Sequence, residues 1–292
     1  MTHRLAKNAL YFTAASVGQK AIAFIYFLFL ARVMMPDLAG QYFLALSITP
    51  LFSVVAEFGI TSVVIREIAK TPERARELIA HALGLKIPLA LLAVAGAIVA
   101  GWLLGYDPAV QHLIALASLV LLVDTLQVFF YGVLRGFQAL KYEAFGVFAG
   151  MLFTALVGGL VLWLAPSLLL LVLALLLGST VNLAAAGMGV VRRLGCIGLM
   201  PAWDAHNSRW LLRTALPFAL AAIFVKVYSY VDSIFISKFL DTAAVGLYAI
   251  AYKFTYAFQF LPLAFVAALY PGMSEVAGKD ETALERLLLR SM

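Results

Sequence analysis

Long apolar segments separated by short polar or proline-containing breaks divide this chain from end to end. Eight segments are long enough to cross a bilayer as helices: about 8–34, 40–65, 83–105, 109–134, 143–164, 168–191, 211–239 and 244–275. Breaks such as Met35–Asp37, Tyr106–Pro108 and Ala165–Ser167 are so short that the helices they join must be antiparallel neighbours. No segment alternates with period two, which disfavours a β-barrel. The pattern predicts an all-α, polytopic membrane bundle. Two connections are longer. Thr71–Ala82 reads as a cytoplasmic surface helix, and Gly195–Ser208 as a linker between two lobes. Pro50, Pro217 and Pro262 are expected to interrupt their spans.

The chain also repeats. A shift of 206 residues superposes Lys20 on Lys226, Arg32 on Lys238, Gly40 on Gly246 and Tyr42 on Tyr248. Both copies begin on the same side of the membrane, six spans apart, so the repeat is parallel, an arrangement in which substrate paths run between two lobes. The expected organisation is a six-helix lobe over 1–195, a linker over 196–209, and the first two helices and surface helix of a second lobe over 210–292. On that reading the sequence is a fragment of a longer two-lobe protein.

Composition agrees with the spans: 64% of residues are hydrophobic, 12% are charged, and mean hydropathy is +1.00. The net charge of +6 is a topology signal, not a nucleic-acid footprint. Of the 21 Lys and Arg, 15 lie at the N-terminus or in alternate connections, whereas Met35–Ala39, Tyr106–Pro108, Ala165–Ser167 and Asp241–Ala244 hold none. The positive-inside pattern places the N-terminus in the cytoplasm. A single cysteine, Cys196, excludes a disulfide framework. No metal-ligand spacing, phosphate loop or nucleophile elbow occurs, so neither an enzyme site nor a cofactor is expected. The four histidines read as solvated side chains at termini or in loops.

The informative residues are the ionisable ones inside spans, which are costly there and mark pathways or pairs. Lys20 lies roughly 18 Å along the first helix from Asn8, near mid-bilayer, with Thr13 and Ser16 on its face. Lys226 stands at the corresponding place on the seventh span, with Ser229, Tyr230, Ser233 and Ser237 following. These residues either line a water-filled cavity in which Lys20, Lys226, Ser16, Ser229, Tyr230 and Ser233 bind an anionic cargo, or fasten helices together. Asp124, with Gln127 and Tyr131 on its face, shares a depth with Lys20 and is its candidate counter-charge. It serves in ion coupling or in a structural pair. Glu57 reads as a vestibule residue or as a helix-end carboxylate reaching Arg66 or Lys70. Asp232 and Lys253 are a candidate outer gate pair, and Lys86, Arg32 and Lys238 are interfacial anchors near span ends. The aromatic residues Tyr228, Tyr230, Tyr248, Tyr252, Tyr256 and Phe260 either stack on sugars or form interface belts.

The opening helix, the segment Phe29–Phe52, Glu57–Ile60 followed by Ile65–Glu67, and Leu134–Gln138 together resemble the polysaccharide-biosynthesis flippases. These are the oligosaccharide branch of the multidrug/oligosaccharidyl-lipid/polysaccharide (MOP) exporter superfamily. The resemblance implies two six-helix lobes around a central cavity lined by the first two helices of each lobe, and alternating access. It implies a multi-pass protein of the cell's inner (plasma) membrane whose partners are a lipid-linked sugar and the surrounding lipids. The polyprenyl-linked pyrophosphate would bind at Lys20 and Lys226, and an ion gradient would drive its passage to the outer leaflet. A multidrug exporter of the same superfamily is the alternative, although two central lysines disfavour a cationic drug. A membrane glycosyltransferase or polymerase would need a large outer loop, and every outer loop here is short. A scaffold without transport is a third possibility.

Overall fold

The computed structural model describes the backbone of residues 2–195 and 200–257, and side chains at 13, 15–195 and 200–255. Its helices are α1 (Thr2–Val33), α2 (Pro36–Glu57), α3 (Ile60–Lys70), α4 (Ala75–Leu103), α5 (Pro108–Gly136), α6 (Leu140–Leu164), α7 (Leu168–Leu194), α8 (Ala205–Phe239) and α9 (Thr242–Ala257). Among the described residues there is no strand, and seven helices are long and apolar enough to span a membrane. This is a multi-pass, all-α membrane protein. Most of the eighth expected span, from residue 258 onward, lies outside the described residues.

Packing divides the chain into two units, Met1–Leu247 and Tyr248–Met292. In the first, α1 lies on α6, α6 on α7, and α7 on α5. Helix α5 also packs on α2, α3 and α4, and α8 lies along α2, α3 and α4. In the second unit the described part is the remainder of α9, where the Tyr248 and Tyr252 rings stack 5.9 Å apart.

Three details differ from the sequence expectation. The region 71–82 is not a separate surface helix: after a 3-10 turn at Pro72–Arg74, α4 runs unbroken from Ala75 to Leu103. Its first turns are apolar on one side, and Ala75, Ile79 and Ala82 are buried in the core shared with α3, α5 and α8. Second, α2 and α8 continue through Pro50 and Pro217. The break in the second span falls instead at Phe58 and Gly59, both left-handed at φ 38° and 70°. Pro262 lies outside the described residues. Third, the linker is anchored. Ala202 N–H donates to the Ala80 carbonyl at 2.9 Å, and Asp204 caps α8 by accepting the Asn207 N–H at 2.8 Å.

Candidate functional site

On α1, Lys20 is exposed and Ser16 half-buried, one turn apart on one face. Contact with α6 is set at Gly18, where a Cβ would stand 3.0 Å from the Phe148 ring. On α8, Lys226 is half-buried, its ammonium 5.5 Å from the centre of the Tyr230 ring one turn on. Beside it, between α2 and α8, opens a groove of about 140 Å³ lined by Leu51, Val54, Val55, Phe58, Ile223 and Val227. Ser229 is half-buried and donates to the Val225 carbonyl of its own helix at 2.8 Å. Ser233 is buried, and its N–H donates to the Asp232 carboxylate at 2.7 Å. Lys253 belongs to α9 in the second unit and Asp232 to α8 in the first. Tyr228 is 87% exposed, and the side chains of Tyr256 and Phe260 lie outside the described residues.

Glu57 and Lys86 give the main correction. Lys86 is not an interfacial anchor, since its side chain is 0% exposed and sits 2.8 Å from a Glu57 carboxylate oxygen. It also donates to Thr61 Oγ1 at 3.4 Å and the Ala56 carbonyl at 3.5 Å, with the Phe129 ring centre 5.6 Å away. The Thr61 hydroxyl in turn donates to the other Glu57 oxygen at 2.7 Å. Glu57 thus reaches neither Arg66 nor Lys70. Both of those bond to Glu67 at 2.7 and 3.3 Å, bonds that hold the Glu67 carboxyl below its ordinary range although burial pushes it up. Continuous helix explains the error about Lys86. With 71–82 read as a separate helix, Lys86 looked like the start of a span, but it lies eleven residues into α4, about 16 Å deep. Glu57 also acts electrostatically on Lys226, although its ion pair is with Lys86.

Asp124 turns toward α7, where Ser179 donates a hydrogen bond to it. Tyr131, two turns on, donates to the Asn182 carbonyl at 3.2 Å and makes a shorter contact with the Asn182 side-chain oxygen. Among the described residues Asp124 makes no ion pair with Lys20. Ser179 and Asn182 are the partners the sequence reading missed; their signal was a three-residue spacing on α7 matching the polar face of α5.

The histidines also differ from expectation. His81 is half-buried on α4, with an enclosed Nδ1 that has no hydrogen-bond partner among the described residues. With His206, Glu67, Arg74, Glu77 and Trp210 it lines a cavity of about 340 Å³ at the basic end of the bundle, away from Lys20 and Lys226.

Comparison with known proteins gives two kinds of match. A family described as "Polysaccharide biosynthesis protein" matches residues 5–277. No curated protein matches the sequence. Among solved structures, the fold is similar to the inward-facing conformation of a multidrug resistance MATE family transporter of the MOP superfamily. The TM-score is 0.68 at 15% identity, covering 94% of this chain and 66% of that one. It is also similar to a MATE crystallised in complex with Br-NRF, with TM-score 0.60 at 14% identity, covering 98% of this chain and 70% of the other. The chain therefore spans about two thirds of the length of the transporters whose fold it shares.

Proposed function

This chain belongs to the polysaccharide biosynthesis protein family, and on that premise we propose that it works in a flippase for a lipid-linked oligosaccharide. The cargo is a polyprenyl-pyrophosphate sugar carried from the cytoplasmic to the outer leaflet of the plasma membrane. The basic end of the bundle is cytoplasmic, N-terminus included, by the positive-inside rule. Residues 1–195 form one lobe, 196–209 the linker, and 210 onward the start of the second. The head group binds at Lys20 and Lys226, with Ser16, Ser229, Tyr230 and Ser233 nearby, while the lipid tail stays in the bilayer. No step of this function is catalytic. Glu57 and Asp124 are the carboxylates of the first unit through which an ion gradient would act, and Asp232 and Lys253 would adjust with the second lobe.

One observation carries this reading: the lysines on the two repeat-related helices are left open while the third mid-membrane lysine is sealed. Glu57, the carboxylate that acts on Lys226, is already bonded to Lys86 and Thr61. Lys226 stands over an aromatic ring beside an apolar groove, which suits a phosphate joined to an isoprenoid chain. The MATE-like fold also favours a second reading, export of a drug, but a cationic drug would meet these two positive charges.

Charge substitution decides between cargo binding and structure. A hydrogen bond to a charged group contributes about 1.5–3 kcal/mol, roughly tenfold to hundredfold in affinity. Lys20→Gln and Lys226→Gln should each weaken binding of the lipid-linked sugar by that factor, and the Arg variants should retain substantial binding. Full flipping by a folded Lys20→Gln/Lys226→Gln protein would overturn the proposal, and export of a cationic dye with no sugar flipping would favour the drug reading.

A further inference from the structure

Two glycines superposed by the 206-residue shift touch each other. Gly40 lies near the start of α2 and Gly246 near the start of α9, and both belong to the first unit. A Cβ on Gly40 would run into the Thr242 carbonyl and stand 3.1 Å from the Gly246 nitrogen. A Cβ on Gly246 would run into the Pro36 carbonyl and stand 2.9 Å from the Gly40 nitrogen. Thr242 is itself the shift partner of Pro36, so each copy presents the same pair of positions to the other. Such reciprocity is the mark of a twofold contact. The pseudo-twofold axis of the repeat therefore passes between α2 and α9 at this point, where Ala39 and its shift partner Val245 are both 0% exposed.

Further ties gather at the same end. The Thr242 hydroxyl donates to the Asp37 carboxylate. Lys238 donates to the Leu104 carbonyl with its ammonium 4.0 Å from the centre of the Tyr106 ring, and the Tyr106 and Ser237 hydroxyls are 2.9 Å apart. Lys238 is thus a clamp between α8 and the α4–α5 turn, not a simple anchor in the interface. At the opposite end α8 is held differently, with Leu211 and Ala215 buried in an apolar core shared with α3, α4 and α5.

We infer that the Gly40–Gly246 contact, with the Asp37–Thr242 and Lys238–Leu104 ties around it, is the outer gate of the flippase. The inference rests on the transport reading and adds where the path closes. On the axis, a contact without side chains brings backbone against backbone and leaves no room for cargo. The bonds around it sit at exposed positions, where water replaces them when the helices part. The buried apolar contact at the other end has no such substitute, so the outer end is the one that opens.

The test uses the full-length protein in membrane vesicles, with Cys196→Ser as background. In Asp37→Cys/Thr242→Cys, oxidation should form a disulfide and reduce sugar flipping at least tenfold, with recovery on reduction. A separate Ser237→Cys reporter reads the gate without any cargo. It should react at least fivefold faster with an impermeant maleimide applied outside when Gly40→Ala separates the helices. If Gly40→Ala fails to fold, Asp37→Ala with Thr242→Ala replaces it. The inference is overturned if the disulfide forms and flipping continues, if no disulfide forms in folded protein, or if labelling is unchanged in folded variants. A protein that flips no sugar even before oxidation refutes the proposed function, and the labelling then decides the gate alone.

Discussion

Lys86 and Lys226 are both lysines in the middle of apolar helices, yet the protein treats them in opposite ways. Lys86 is sealed on every side, with Glu57 at 2.8 Å and Thr61 at 3.4 Å. Lys226 keeps one side open, over Tyr230 and beside a groove. A charge within a bilayer is tolerable either when it is paired and hydrogen-bonded or when it reaches a wet surface. Depth along a helix does not distinguish the two. The position of a carboxylate does.

The largest way to break this contrast is to remove the sealed ammonium. Lys86→Met strands Glu57 and should cost about 3–5 kcal/mol of stability, the usual result of orphaning one member of a buried pair. Adding Glu57→Gln should restore much of it, while Lys226→Met should cost under about 1 kcal/mol. Thermal unfolding in detergent measures all three, and equal losses for Lys86→Met and Lys226→Met would dissolve the distinction. A smaller effect comes from the break that positions Glu57. Gly59 is left-handed at φ 70°, and a Cβ there would stand 2.6 Å from the Ala215 carbonyl oxygen of α8. Gly59→Ala should therefore cost at least about 1–2 kcal/mol, most visibly as a lower unfolding temperature. An unchanged midpoint would mean that the break tolerates a side chain.

The smallest effect concerns the start of α8, the helix that carries Lys226. The Asn207 backbone N–H holds the Asp204 carboxyl below the ordinary carboxylate range. A lowered folded value means that this cap stabilises fully above the unfolded value of about 3.9 and is lost as pH falls through the folded one. Asp204→Ala should thus lower the unfolding temperature slightly at neutral pH and match the wild type in strong acid. A difference that persists at pH 2 would assign the loss to something other than the cap.

Much of the architecture was legible because a bilayer demands long apolar helices with short turns, and the chain spells these out. The limits of α5, α6 and α7 fall within a few residues of the expected spans. The 206-residue shift stands out at Lys20, Gly40 and their partners, because charge and glycine are rare enough in apolar sequence to register. Two kinds of feature were hidden. Helix continuity through Ala75–Leu103 depends on tertiary burial of Ile79 and Ala82, which the polar residues around them masked. Pairing was hidden too: Glu57 and Lys86 lie 29 positions apart, and only the fold brings them together. Asp124 shows the same limit, since its depth pointed to Lys20 while its rotation about α5 turns it toward Ser179.

The anchored start of α8 sets the leverage of whatever moves at its other end. Thirty-five residues of helix make a rod about 52 Å long, fastened near one tip by the Ala202–Ala80 bond. A swing of about 10° around that fastening displaces the far tip by about 9 Å, while residues near Ala215 travel only about 3 Å. A side chain can follow a 3 Å shift by changing rotamer, so the core around Ala215 would stay filled if the distant tip swung by that amount. Length, more than softness, would let one end of such a helix travel far while the other kept its neighbours.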